Sequence, residues 1–104
     1  MERVIDGGFV IAEFAVEGSA DSIVLLDPER RPALVLAWHP FPNVLRVTDA
    51  DEIVWRSALL PEETTAKCWL GVEWVDGALR TWTYSYDCEL DPGTGTIRRS
   101  TFTK

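Results

Sequence analysis

The sequence predicts an all-β fold, an antiparallel meander of about seven to nine strands forming a sandwich or a flattened barrel. Three observations carry that expectation. β-branched and aromatic residues fill the apolar positions, and turn-forming clusters of Gly, Pro, Asp and Asn recur about every 8 to 12 residues, the spacing of sandwiches and barrels. Helix-start composition appears at residues 59–65, where Pro61 precedes Glu62 and Glu63, and there a loop or a single 3₁₀ turn is expected.

Taken in order, a strand is expected over 9–17, closed by Gly18-Ser19-Ala20-Asp21. The apolar run 22–26 ends at Asp27-Pro28-Glu29-Arg30-Arg31-Pro32, and the run 33–38 at His39-Pro40-Phe41-Pro42-Asn43. Strands over 44–48 and 53–58 flank Asp49-Ala50-Asp51-Glu52. Two long strands, 66–75 and 78–90, flank Asp76-Gly77, and a last strand over 96–103 follows Asp91-Pro92-Gly93-Thr94-Gly95. In these turns Pro fixes φ, Gly supplies positive φ, and Asp or Asn bonds its own backbone.

Asp76-Gly77 is the strongest local signal, because a two-residue type I′ hairpin needs positive φ at both central positions. It sets a register in which Val75 faces Ala78, Glu73 faces Arg80 and Gly71 faces Trp82, continuing to Trp69 with Tyr84 and Lys67 with Tyr86. Alternation then gathers Trp69, Trp82, Tyr84 and Tyr86 on one face, and Leu70, Val72, Trp74, Leu79 and Cys68 on the other. Gly71 opposite Trp82 suits a ring lying over a strand glycine.

With 104 residues the chain has the size of one domain, and 46% hydrophobic with 26% charged residues is a globular balance that excludes wholesale disorder. Apolar runs are far shorter than the roughly 20 residues of a spanning helix, so no membrane partner is expected. The opening residues lack a basic n-region and a long apolar h-region, so a cytoplasmic location is expected. A net charge of −7 repels phosphate backbones, which argues against nucleic acid. The excess is uneven: residues 1–64 hold twelve acids against five bases, and residues 65–104 hold five of each. Such a field attracts a basic protein partner, and it also serves solubility.

Three segments share a phrase in which an apolar strand ends at an acidic turn and a second strand ends in an aromatic ring. They run from Ser22 to Trp38, from Asn43 to Trp55 and from Cys88 to Phe102. Through Leu90-Asp91-Pro92-Gly93-Thr94-Gly95-Thr96-Ile97 and Val54-Trp55 the sequence resembles hairpins of quinoprotein-like, PQQ-repeat β-propellers. It is also similar to small bacterial β-proteins that combine such hairpins with an Asp-Gly hairpin and a Phe-Thr-Lys end, here Phe102-Thr103-Lys104. The resemblance implies hairpin chemistry and carries no activity, quinone site or metal site. Blades of roughly 40 residues, four or more to a ring, need a longer chain to close a propeller.

Catalytic signatures are absent from the sequence. His39 sits between Trp38 and Pro40 with no nucleophile elbow to serve. Cys68 and Cys88 have neither redox nor zinc spacing and are expected as two unbonded buried thiols. The carboxylates are scattered over turns with no spacing that specifies an acid pair or a calcium loop. No cofactor, metal or catalytic residue is therefore expected. The favoured function is a non-enzymatic, acidic protein-binding module, an inhibitor or immunity-type protein for a basic partner. The alternatives are a small-ligand binder with an aromatic pocket and a small enzyme using carboxylates. If strands alternate up and down, the turns carrying Asp27, Glu29, Asp49, Asp51, Glu52 and Asp76 emerge at one end, and Glu17, Asp21, Glu62, Glu63 and Asp91 at the other. The acids of the first end, with the aromatic face of Trp69, Trp82, Tyr84 and Tyr86, form the candidate partner surface.

Overall fold

A computed structural model describes residues 2–30, 40–60 and 68–103. The expected strand 33–38, His39 and most of the expected turn at 59–65 lie outside the described residues; Leu59 and Leu60 are irregular. The fold is all-β, nine strands in two antiparallel sheets. The first sheet contains β1 (Val4–Ile5), β2 (Gly8–Ala15), β3 (Ser22–Leu26), β4 (Val44–Val47) and β5 (Ile53–Arg56), paired in chain order. The second contains β6 (Gly71–Val75), β7 (Ala78–Trp82), β8 (Tyr86–Leu90) and β9 (Ile97–Phe102), again in chain order.

Sheet-on-sheet packing follows from alternation. Ile23, Leu25, Val44 and Trp55 point from the first sheet into a core shared with Val72, Leu79, Cys88 and Leu90 of the second, and Trp69 is wholly buried among them. The opposite face of the first sheet is apolar too: Val24, Leu26, Leu45 and Val47 cluster with Ile5, Phe41 and Cys68. Two buried faces explain why β3 is an unbroken apolar run. One of the two sheets is a half-barrel. Arg3, beside β1, pairs with both Glu13 and Asp51, and Arg56 at the end of β5 pairs with Asp6 at 2.6 Å, so first and last strands are linked by charge.

The Asp76-Gly77 hairpin forms as expected. Both residues have positive φ, 51° and 79°, and five pairs from Val75↔Ala78 to Gly71↔Trp82 keep the expected register. A Cβ on Gly71 would lie 2.0 Å from the Trp82 ring, so the ring covers the glycine as its opposition suggests. Asp6-Gly7 is a second turn of the same kind, with φ of 52° and 82°, joining β1 to β2. The sequence reading passed over it because only two residues precede it in strand.

Beyond Trp82 the expectation fails. The long strand 78–90 is two strands, because the chain turns at Thr83-Tyr84-Ser85: the Thr83 hydroxyl accepts the N–H groups of Ser85 and Tyr86, and the Thr83 N–H donates to the Tyr86 carbonyl. Residues 68–70 correspondingly lie outside β6. The pair Trp69 with Tyr84 does not form, Tyr86 pairs with Phe102, and Lys67 lies outside the described residues.

Candidate functional site

The antiparallel registers decide which turns share an end. Leu25 pairs with Val44 and Ser22 with Val47, so the chain leaves β3 at Asp27 on one end and turns from β4 to β5 at 48–52 on the other. The expectation of one common end is therefore corrected. It rested on alternation through 22–26, 33–38 and 44–48, which would run the first and last of these in the same direction, whereas β3 and β4 pair antiparallel. Asp27 and Glu29 stand apart, and Asp49, Asp51, Glu52 and Asp76 keep company instead with Glu17, Asp21 and Asp91.

Each turn of this acidic end is held locally. Thr48 accepts the N–H groups of Ala50 and Glu52 on its hydroxyl, with Asp51 at φ 62°. Asp91 accepts the Gly93 N–H at 2.8 Å, and that bond, then the Arg98 guanidinium, holds its carboxyl below the usual range. The Pro92 carbonyl accepts from Arg46 Nη1 and from Trp55 Nε1, both at 2.9 Å, which ties the β8–β9 turn to the first sheet. Arg46 also grips Asp21 at 2.8 Å, and the Trp55 ring fills the space where a Gly95 Cβ would lie.

Between these fixed turns the sandwich opens into a groove of about 470 Å³, lined by Ala15, Val16, Glu17, Trp74, Gly77 and Pro92. Trp74 packs its ring against the shared core, and its buried indole N–H has no acceptor among the described residues. Asp21, Asp51 and Asp91 are engaged by Arg46, Arg3 and Arg98. Glu17, Asp49, Glu52 and Asp76 are exposed and form no ion pair among the described residues. Thus an apolar slot has Glu17 in its lining and Asp76 next to Gly77, carboxylates with no ion pair among the described residues, while Asp49 and Glu52 lie at the same end.

At the far end Asp27 accepts from Arg30 Nε at 2.9 Å and from the Glu29 N–H, which lower its pKa in that order. Arg30 lies over the Phe9 ring and pairs with Glu2 as well as Asp27.

The expected aromatic face is dispersed. Trp69 is 0% exposed, and Asn43 anchors its backbone: the Asn43 amide donates to the carbonyls of Leu26 (2.9 Å) and Trp69 (2.8 Å) and accepts the Trp69 N–H (2.7 Å). Trp82 lies on the outer face of the second sheet, over Gly71 and in an open hollow with Glu73, Arg80 and Asp87. Tyr86 points to the inner face, its ring 5.4 Å from that of Phe102. Tyr84 is 63% exposed at the tip of the 83–85 turn. Sequence reasoning put Trp74 on the face of Val72 and Leu79, which is correct, but missed the groove, because the approach of Val16 and Glu17 to Gly77 is set by docking of the two sheets. Cys68 and Cys88 are reduced and occupy different clusters.

Among the described residues no cluster of His, Cys, Asp and Glu is arranged to hold a metal, and no helix is long and apolar enough to cross a membrane. Residues 12–102 match a family described as a domain of unknown function, DUF7957. No curated protein and no solved structure matches the chain.

Proposed function

The chain belongs to the DUF7957 family, and we propose that it is a non-enzymatic binding module of the inhibitor or immunity type, whose acidic end receives a segment of a basic protein. The groove of Val16, Glu17, Trp74 and Pro92, with Glu17 and Asp76 outside every ion pair of the described residues, carries this reading. An aliphatic or aromatic side chain of the partner seats against Trp74, worth about 1.5–3 kcal/mol if fully buried. Neighbouring Arg or Lys side chains meet Glu17, Asp76, Asp49 and Glu52. Such exposed pairs add about 0–1 kcal/mol each and act mainly on the rate of encounter. Trp82 and Tyr84, on other faces, stand outside this contact. Two reduced, buried thiols suit a cytoplasmic setting.

The test is selection of a phage-displayed random peptide library on the folded chain, followed by affinity measurement with the enriched peptides. Expected are peptides with Arg or Lys beside Leu, Ile or Phe, binding about tenfold or more weakly to a Glu17→Lys, Asp76→Lys variant and unchanged on Asp27→Lys. Enrichment without basic residues, or equal loss in Asp27→Lys, overturns the proposal.

A further inference from the structure

Edges of β-sheets are pairing templates unless they are short, charged, bulged or covered. In the first sheet β1 has two residues, and charge links it to the region of β5. In the second sheet β6 lies beside β2, while β9 is a six-residue edge with no partner on its outer side among the described strands, and five of its residues are exposed. Protection is confined to its beginning. A register shift falls where Leu90 pairs with Ile97 and Glu89 with Arg99, and Arg98 and Arg99 pair with Glu89 and Asp91. Residues 100–103, Ser-Thr-Phe-Thr, have neither charge nor proline, and Phe102 is 60% exposed.

The hydrogen-bond alternation shows what the edge offers. The Thr103 N–H donates to the Ser85 carbonyl, so Thr103, Thr101 and Arg99 turn their backbone groups toward β8. The N–H and C=O of Ser100 and Phe102 are left pointing outward.

We infer that this edge binds a second copy of the chain, β9 against β9 in antiparallel fashion about a two-fold axis at Thr101. Ser100 then faces Phe102 of the second copy and Phe102 faces its Ser100, so four backbone hydrogen bonds form from groups that the described strands leave unpaired. Thr101 meets its own counterpart in a non-hydrogen-bonded pair, a favourable cross-strand combination. Arg99 faces Thr103 of the second copy, and the two Arg99 residues are about 14 Å apart along the strand direction. The self-pairing therefore keeps the two Arg99 residues apart, sets Phe102 beside Ser100 of the second copy and makes one continuous eight-stranded sheet from two second sheets. It also uses the charge-balanced part of the chain and leaves both acidic ends outside the contact, which matters for two molecules of net charge −7.

Non-hydrogen-bonded partners in antiparallel strands have Cα atoms about 4.5 Å apart, within disulfide range. Thr101→Cys is thus expected to form a covalent dimer on mild oxidation at micromolar protein, and Arg99→Cys to remain monomeric under the same conditions. In sedimentation the unmodified chain is expected to self-associate as concentration rises. Ser100→Pro, which removes an outward N–H and leaves the β8 ladder intact, weakens that association about tenfold or more with the thermal transition retained. Thr101→Lys, a change on the exposed face, weakens it similarly and is partly rescued by salt. A chain that stays monomeric to millimolar concentration, or cross-linking as fast in Arg99→Cys as in Thr101→Cys, overturns the inference.

Discussion

Asn43 provides the sharpest test of how the two sheets are joined. It is 0% exposed, and its amide makes three hydrogen bonds, two given to carbonyls and one taken from the Trp69 N–H. Asn43→Ala strands three buried backbone groups. At about 1 kcal/mol for each net bond and 1–3 kcal/mol for each unmatched group, with partial relief by water, the loss is about 3–5 kcal/mol. That is a large share of the roughly 5–15 kcal/mol of a typical domain. In urea, followed by tryptophan emission, the midpoint falls by about 2–3 M at a typical slope for this size. Asn43→Asp separates donor loss from size. The carboxylate still accepts from Trp69 N–H, but its second oxygen faces two carbonyls, so burial and repulsion raise its folded-state pKa above the ordinary value of about 3.9. A raised folded pKa means the variant is closest to wild type below pH 4 and loses ground as pH rises toward the folded value. A midpoint for Asn43→Ala within about 0.5 M of wild type, or an Asn43→Asp deficit that shrinks with rising pH, refutes the reasoning.

Three further outcomes are expected. Gly77→Val loses more than about 1 kcal/mol in the same assay, although a Cβ there meets nothing within 4 Å, because a β-branched residue at φ 79° is strained; full stability contradicts the type I′ turn. Gly95→Ala costs more than Gly71→Ala, about 3 against about 1 kcal/mol, since the Trp55 ring over Gly95 is tethered by its bond to Pro92 whereas the Trp82 ring lies on an outer face and can swing away; the reverse order contradicts the tether. In a carboxyl NMR titration Asp91 has its midpoint below the usual aspartate value, and its stabilising contribution is complete above the unfolded pKa and lost as pH falls through the folded one; a midpoint at or above about 3.9 contradicts the Gly93 and Arg98 contacts.

Local chemistry in this chain was legible and long-range placement was not. Asp76-Gly77 specified five cross-strand pairs because a two-residue turn leaves a single register. The run 22–26 was readable from its uninterrupted apolar character. The turn at 83–85 escaped notice because it contains neither Gly, Pro nor Asn and depends on a threonine hydroxyl, a weaker signal that Thr-x-Ser nonetheless carries. That one omission put Tyr84 and Tyr86 on a face with Trp69 and Trp82. Asn43, read as a loop residue, proved to be a buried bridge, because an asparagine's partners 17 and 26 positions away leave no local trace. The acidic end was half legible: Asp49, Asp51, Glu52 and Asp76 share it, but Glu17, Asp21 and Asp91 join them only through sheet pairing and docking.

The double acceptance at the Pro92 carbonyl bears on how the chain folds. Within each sheet neighbouring strands are also neighbours in sequence, and all pairs except β3 with β4, which are joined through 27–43, close as short hairpins, on the order of microseconds each. The bonds from Arg46 and Trp55 to Pro92 instead span 46 and 37 positions. They close only after both meanders exist, and an isolated meander leaves its half of the shared core in water. Docking is thus the entropically demanding step, and stability arrives with it. Because both sheets supply one shared core, they are expected to melt as one cooperative unit.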